Sequence, residues 1–232
     1  ASVFLLVSSG FRVILPPSYI CCGYPMAVNA KTKNHERITL ENTILFSRIR
    51  EMFSDLDFDA CLVSCGTCME SLENMEADTI MGASIQDVSG FVLDQESAIG
   101  NLSGWAPEGL YHQPCHDSLK RGALDLFSRC ADSSRVKLFP HCCSEAGTMA
   151  LSRPDISHKM LHRKKQTLDK LKQDGPEKII TNCPSCLQGL GRMESSGAKP
   201  VHLAVELARA AGGRNWTRQF ESCIENISVV PF

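Results

Sequence analysis

The chain carries two copies of one cysteine pattern: an adjacent pair, followed about forty residues later by Cys-x-x-Cys. The copies begin about 120 residues apart, so the pattern is an internal repeat. Thiolates are soft ligands that hold iron–sulfur clusters and zinc. The repeat therefore predicts two related modules that each gather thiols at one place, and eight thiols favour iron–sulfur chemistry. The cysteines of the pattern are Cys21, Cys22, Cys65 and Cys68, then Cys142, Cys143, Cys183 and Cys186.

Composition limits the classes of function. The 232 residues suit one large domain or two smaller ones, and the repeat favours two, at residues 1–104 and 105–232. A net charge of −2 gives no electrostatic argument for nucleic acid. No apolar run approaches the roughly 18 residues of a membrane span, and the start of the chain has no signal-peptide pattern. We therefore expect a cytoplasmic protein with no nucleic-acid partner and no membrane span.

Strand patterns alternate with helix patterns in both copies. This order predicts an α/β fold of two repeated modules with mainly parallel sheets. Loops at the carboxyl ends of parallel strands meet at one edge, and Cys65, Cys142 and Cys183 each follow a strand candidate. Strands are predicted over 11–15, 58–63, 87–93, 109–112, 135–139, 178–181 and 200–203. Helices are predicted over 36–53, 65–75, 118–130 and 157–173, and Ser157 is expected to cap the last of these. Two further helices are predicted, one after Cys186 and one that follows the strand at 200–203 and ends at 211.

Each Cys-x-x-Cys lies where a strand turns into a helix. The first helical turn presents free N–H groups and the positive end of the helix dipole, which lowers the pKa of a thiol. Pro184 suits an early helical position, because its missing N–H is not needed there. Gly66 would let the backbone approach a bound cluster closely.

The pattern resembles the cysteine-rich CCG domain family. This family includes a cysteine-rich component of heterodisulfide reductase and the iron–sulfur subunits of glycolate, lactate and anaerobic glycerol-3-phosphate dehydrogenases. The resembling segments are Cys21-Cys-Gly-Tyr-Pro25, Cys65-Gly-Thr-Cys68, His112-Gln-Pro-Cys-His116, Cys142-Cys143 and Asn182-Cys-Pro-Ser-Cys186. The resemblance implies a component of a flavin-dependent or heterodisulfide-reductase-like oxidoreductase. It also implies a flavoprotein or ferredoxin-like partner and a quinone or disulfide acceptor, and it allows a peripheral location at the inner membrane through partners.

The family motif has five cysteines, and in heterodisulfide reductase each set binds a non-cubane [4Fe-4S] cluster. Carried over, the second set is Cys115, Cys142, Cys143, Cys183 and Cys186. Ser144 follows the second pair in place of the family's glycine, which leaves the type of [4Fe-4S] cluster open. The first set has no early cysteine, so we expect an N-terminally truncated first module that holds its cluster weakly or not at all. Zinc is possible there. FAD is expected only in a partner or a missing region.

Other interpretations remain open. A zinc-stabilised interaction module without a redox role is the main alternative, since two Cys-x-x-Cys motifs can form a four-thiolate zinc site. A disulfide framework is disfavoured, because the chain is long and has enough apolar residues to form two hydrophobic cores without cross-links. Cys61, Cys65 and Cys68 also have the spacing of radical-SAM enzymes, but Cys61 lies inside a strand pattern. Cys130 and Cys223 have no counterpart in the repeat and are predicted to be packing residues.

Three histidines are candidates for delivering protons: His112, His116 and His141. His112 and His116 flank Cys115, and a hydrogen-bonded turn histidine is an equal interpretation for both. His141 and His202 also suit structural roles. The basic run 162–165 is most simply a solvated helix face.

Overall fold

The computed structural model describes residues 1–95, 102, 105–130, 135–145, 149–171 and 177–225. Helices and strands alternate along most of this range, as the sequence predicts. The helices are α1 (Ser2–Ser8), α2 (Tyr24–Val28), α3 (Thr32–Met52), α4 (Gly66–Asn74), α5 (Ala77–Met81), α6 (Val88–Asp94), α7 (Ala123–Cys130), α8 (Met149–Ser152), α9 (Pro154–Leu171), α10 (Pro184–Gly191), α11 (Leu203–Gly212) and α12 (Trp216–Glu225). The strands are β1 (Cys61–Val63), β2 (Ile85–Asp87), β3 (Gly109–Tyr111), β4 (Val136–Leu138), β5 (Glu177–Thr181) and β6 (Ala198–His202).

The strands form two parallel sheets, one in each module. In the first module, β1 pairs with β2. In the second, four strands lie in the order β4-β3-β5-β6, and every pairing is parallel. The α/β fold of two modules with parallel sheets is therefore confirmed. The carboxyl ends of β1 and β5 both lead directly into Cys-x-x-Cys segments, at the edge of a parallel sheet where loops converge.

The two modules share one hydrophobic core. Helices α6 and α11 follow the last strand of each sheet and pack on each other, and α1 packs on both. Phe4 and Leu5 of α1 contact this core together with Val92 of α6 and Leu207 of α11, and all four are buried. Burial of apolar surface at about 25 cal/mol per Å² makes this shared core a main source of cohesion between the modules.

The end of each sheet is capped in a related way. The Asp87 carboxylate accepts the N–H groups of Ser89 and Gly90 at the start of α6. His202 accepts the N–H of Ala204 at the start of α11 through Nδ1, and its Nε2 lies 3.1 Å from the carbonyl oxygen of Ser64. A histidine in the second module thus holds the chain just before the first Cys-x-x-Cys, which agrees with the structural role allowed for it.

Several local predictions are wrong. The strand predicted over 11–15 is not a strand, although Phe11 and Val13 pack against the shared core. The segment predicted as a strand over 87–93 is helix α6, because the Asp87 cap begins a helix and every residue of 88–93 is buried, which leaves no periodicity to distinguish the two. Five helices have no counterpart among the predicted elements: α1, α2, α5, α8 and α12.

Two helix boundaries also differ from the predictions. Helix α7 begins five residues later than expected, because Asp117 accepts the N–H groups of Leu119 and Arg121 and so forms a turn there. Ser157 lies inside α9 and does not cap it. The side chains of Cys130 and Cys223 lie outside the described residues. Within the described ranges, no helix has the length and apolar character needed to cross a membrane.

Candidate metal centre

The two Cys-x-x-Cys motifs occupy equivalent places at the starts of two helices. Cys65 and Cys183 are the last extended residues before α4 and α10, and Cys68 and Cys186 lie in the first turns. Neither Cys65 nor Cys183 uses its side chain to cap its helix. Their sulfur atoms therefore remain available beside the positive end of each helix dipole, as the sequence predicts.

Seven thiols form one continuous row that crosses from the first module to the second. The side chains of each neighbouring pair lie close enough to shift each other's pKa. The row runs in the order Cys22, Cys68, Cys65, Cys183, Cys186, Cys143 and Cys142. It is half-buried at the first-module end and buried at Cys143, Cys183 and Cys186. Two sets that are far apart in sequence thus form a single site.

The thiols of this row differ in pKa. The hydrogen bond from Cys68 lowers the pKa of Cys22 to about 6, although its partial burial opposes this. Cys65 and Cys143 also have lowered pKa values, because each accepts from two neighbouring thiols. The larger contribution comes from Cys183 for Cys65 and from Cys142 for Cys143. The pKa of Cys68 is raised, mainly because it donates to Cys22. A metal that bound here would replace the protons of these thiols, because the thiolate is the form that ligates metal.

Two predicted cysteines lie outside the row. Cys21 is exposed, and its carbonyl oxygen accepts a hydrogen bond from the Asn42 side chain. Cys115 is also exposed, but it lies near enough to Cys142 and Tyr24 to contribute to the raised pKa of both. The largest causes are the neighbouring Cys143 thiol for Cys142 and burial for Tyr24. The structure therefore places Cys115 beside the junction of the two modules and leaves its thiol open to solvent.

His112 lies among the buried thiols of the second module. One of its ring nitrogens and the sulfur atoms of Cys143 and Cys186 all lie within 4.8 Å of one another. The residue is 1% exposed, and neither ring nitrogen has a hydrogen-bond partner of normal geometry among the described residues, although the ring lies near enough to help lower the pKa of Cys143. Burying a polar group without a partner is costly. The unpartnered nitrogens and the surrounding thiols together fit a bound metal centre.

His116 joins the modules at the surface. Its Nε2 hydrogen-bonds the hydroxyl of Tyr24 at 2.8 Å, and its Nδ1 contacts the carboxylate of Glu70. Tyr24 follows the first cysteine pair and Glu70 lies on α4, so the second-module histidine bridges two parts of the first module. Of the three predicted histidines, this one lies closest in sequence to the exposed Cys115.

His141 has a partner away from the thiol row. Its Nε2 lies 2.6 Å from the hydroxyl of Thr167 on α9. Partial burial lowers its pKa, with further contributions from the positive charges of Lys164 and Arg163. This contact gives His141 a structural partner on α9 that the sequence did not reveal.

Lys164 is a residue of the site that the sequence does not single out. The basic run 162–165 is predicted to be a solvated face, yet Lys164 is 1% exposed. Its Nζ donates to the carbonyl oxygens of Cys143 at 2.5 Å and Gly189 at 3.3 Å. A sequence signal exists, because Lys164 lies on one helical stripe with Leu161, Leu168 and Leu171, which pack beside the thiols.

Two glycines allow the cysteine-bearing segments to pack closely. A Cβ atom at Gly66 would overlap with the carbonyl oxygen of His116, and one at Gly189 would overlap with the carbonyl oxygen of Cys143. Gly66 is expected from the sequence to make room for a cluster, and its observed neighbour is the backbone of the other module. Both glycines therefore act by close packing of backbone against backbone.

A buried polar network fixes the strand ends beneath the thiols. The hydroxyl of Tyr111 donates to Asn182 at 2.8 Å, and the Asn182 amide donates to Asp117 and Ser118. The Ser118 hydroxyl in turn donates to Asp87 of the first module. Asn182 directly precedes Cys183, so this network positions the second Cys-x-x-Cys relative to the first module.

The fold and the site define a chain of two cysteine-bearing α/β modules whose thiols converge at the junction. The chain belongs to the CCG family of cysteine-rich domains, whose profile matches residues 5–73 and 110–191. The family resemblance given by the motifs is therefore confirmed. The two matched segments correspond to the two modules, and together they contain every cysteine predicted to be a ligand, Cys115 included.

Three curated relatives illustrate the range of similar proteins. Lactate utilization protein A of an Exiguobacterium species is 25% identical over 89% of this chain and 89% of its own length. The probable glycolate oxidase iron-sulfur subunit of Bacillus subtilis is 24% identical over 91% of this chain and 51% of its own length. One subunit of the CoM/CoB fumarate reductase of Methanothermobacter marburgensis is 23% identical over 78% of this chain, which spans 36% of that protein. The chain thus spans about a third of the length of some curated relatives.

Proposed function

We propose that the chain is an iron–sulfur component of an oxidoreductase and that its second module holds a [4Fe-4S] cluster. The observation that carries this proposal is the buried part of the thiol row, where Cys143 and Cys186 lie beside the unpartnered nitrogens of His112. A bound cluster of this kind supplies reversible one-electron transfer. The names of three relatives, two iron-sulfur proteins and one iron-sulfur subunit, support the same chemistry.

The ligands proposed for this cluster are thiols of the second module. Cys142, Cys143, Cys183 and Cys186 belong to the row, and Cys115 is the fifth proposed ligand because it lies beside Cys142. In this arrangement the chain excludes water at the buried end and leaves an opening at Cys115. An exposed ligand suits a cubane or non-cubane cluster that a substrate or partner can approach.

The first module supplies a second proposed site from Cys21, Cys22, Cys65 and Cys68. Three of these thiols are in the row, and Cys21 is exposed. Four thiolates suffice for either a cluster or zinc. Because Cys65 contacts Cys183, electrons passing between the two sites would have a short path. Domains at 1–104 and 105–232 would then act as one electron-transfer unit.

Relatives that are named as subunits support the existence of partner subunits, and the family resemblance suggests which kinds they are. We infer a flavoprotein or ferredoxin-like subunit as the electron donor, with FAD in that partner, and a quinone or a disulfide as the acceptor. His116 is the best placed of the three histidines to hold a proton near an incoming acceptor, because it lies at the surface of the junction near exposed Cys115. His112 is proposed to contact the cluster, and His141 to support α9. A cytoplasmic location, or attachment to the inner membrane through partners, belongs to the same proposal.

A second candidate is a zinc-stabilised interaction module. It is favoured by the compactness of the group formed by His112, Cys143 and Cys186, whose ligand atoms lie close enough together to bind a single ion. Zinc would leave the remaining thiols of the row without a function, so the cluster accounts for more of the site.

Metal analysis of anaerobically purified protein tests the proposal. We expect iron and acid-labile sulfide, a brown colour, and little zinc. The Cys186→Ser variant should lose iron corresponding to one site, whereas Cys61→Ser, a cysteine of β1 outside the row, should keep it. Equal iron in the Cys186→Ser variant and the unmodified protein would contradict the ligand assignment, and stoichiometric zinc without iron would favour the second candidate.

A further inference from the structure

Helix α9 carries a charged residue at the centre of its buried face. Leu161, Leu168 and Leu171 pack against the cluster of buried residues that contains Cys143, Cys183 and Cys186. Lys164 lies on the same face, one turn from Leu161 and Leu168, and is itself buried. An apolar residue would be expected at such a position, because burying a charge is costly.

The contacts of Lys164 bring its charge to the thiols. Its Nζ donates to the carbonyl oxygens of Cys143 and Gly189, so it joins the cysteine-pair loop to α10, the helix that begins with the second Cys-x-x-Cys. In the part of the chain that the structure describes, Lys164 forms no ion pair within 4 Å. The nearby carboxylate of Glu145 is instead paired with Arg192 at 2.8 Å.

A buried cation without a carboxylate partner requires negative charge from elsewhere. An iron–sulfur cluster held by thiolates carries net negative charge and would supply it, because Nζ of Lys164 contacts the backbone of Cys143, a proposed ligand. Reduction adds one electron, so a nearby positive charge stabilises the reduced form more than the oxidised form. This effect is strong in a buried site, where the effective dielectric constant is low.

We propose that Lys164 is a fixed positive charge that raises the reduction potential of the second-module cluster. The inference rests on the proposed function, because it requires the cluster to be present. It assigns Lys164 a tuning role distinct from ligation: the ammonium group contacts backbone carbonyls and not sulfur. Net charge near a cluster is one of the properties that set its potential.

Redox titration of the full chain tests the inference, with the second-module signal identified as the EPR or visible signal that Cys186→Ser removes. The variants are Lys164→Gln, which keeps a hydrogen-bond donor and removes the charge, and Lys164→Arg, which keeps the charge. Lys159→Gln is the matched control, because Lys159 is exposed on the same helix. We expect a lower potential in Lys164→Gln and potentials close to that of the unmodified protein in the other two.

The potential of a cluster does not depend on the fraction of molecules that carry it, so partial loss of iron in Lys164→Gln would not obscure the result. An unchanged potential in Lys164→Gln, or equal shifts in the Gln and Arg variants, would overturn the inference. Complete loss of iron in Lys164→Gln would also overturn it, since Lys164 would then hold the cluster and not tune it. An unmodified protein without iron would instead overturn the proposed function, and the inference with it.

Discussion

The thiols of Cys65 and Cys183 contact each other across the junction of the two modules. Each residue is the last extended position before a helix, and each follows a strand of a different sheet. This contact makes one continuous row of two separate cysteine sets. It also places the two centres predicted from the sequence next to each other.

The contact predicts a specific cross-link. When the metal-free chain is treated with diamide, which oxidises two thiols to a disulfide, we expect a Cys65–Cys183 bond between the modules. Mass spectrometry of unreduced peptides would detect it. The Cys61→Ser variant should form the same bond, because Cys61 lies outside the row. Disulfides found only within each Cys-x-x-Cys would show that the two helix starts are farther apart in solution.

Gly66 should be intolerant of alanine. Its Cβ would overlap with the carbonyl oxygen of His116, so we expect Gly66→Ala to lower the free energy of unfolding by about 1–3 kcal/mol. Denaturant unfolding measures the change. Gly191→Ala is the control, because Gly191 ends the equivalent helix α10 with no atom within 4 Å of a new Cβ. A similar loss of stability in both variants would mean that packing against His116 is not the cause.

The hydroxyl of Tyr111 should be needed for stability. Tyr111→Phe leaves the buried side-chain oxygen of Asn182 without this donor, and we expect the free energy of unfolding to fall by about 1–3 kcal/mol. Tyr19→Phe, at a side chain that is 80% exposed, should change it by less than about 0.5 kcal/mol. Equal stabilities of the two variants would contradict the importance of this network.

Asp87 should make stability depend on pH in the acidic range. Burial raises its pKa above the usual value near 3.8, although Ser118 and two backbone N–H groups oppose the shift. The pKa of Asp87 is therefore higher in the folded chain than in the unfolded chain. Between these two values the folded chain binds more protons than the unfolded chain, so Asp87 makes stability fall as pH rises.

The variant Asp87→Asn removes this titration. We expect its free energy of unfolding to increase relative to that of the unmodified protein as pH rises from about 3.5 towards neutrality, by roughly the amount that the ionisation of Asp87 costs. Unfolding curves at several pH values measure the difference. A difference that is constant with pH would show that the pKa of Asp87 is not raised.

The sequence was sufficient for the family, the fold class and most of the elements that carry the cysteines. The repeat identified eight thiols, and the alternation of apolar runs placed each Cys-x-x-Cys between a strand and a helix, as observed at Cys65 and Cys183. These features depend on local spacing and turn chemistry, which a sequence expresses directly. The same local logic failed at residues 88–93, where an unbroken buried run fits a strand and a helix equally well.

Only the tertiary structure decided which residues meet at the junction. No sequence pattern sets the distance between Cys65 and Cys183, or shows that Gly66 packs on His116 or that His202 reaches Ser64. The burial of Lys164 was not predicted, because a basic run is typical of a solvated helix face. The leucines on the same stripe of the helix pack in the core, and only the structure shows this. Periodicity identifies the face of a helix that is covered, but what covers it depends on the packing of segments far apart in the chain, here those that carry Cys143 and Gly189.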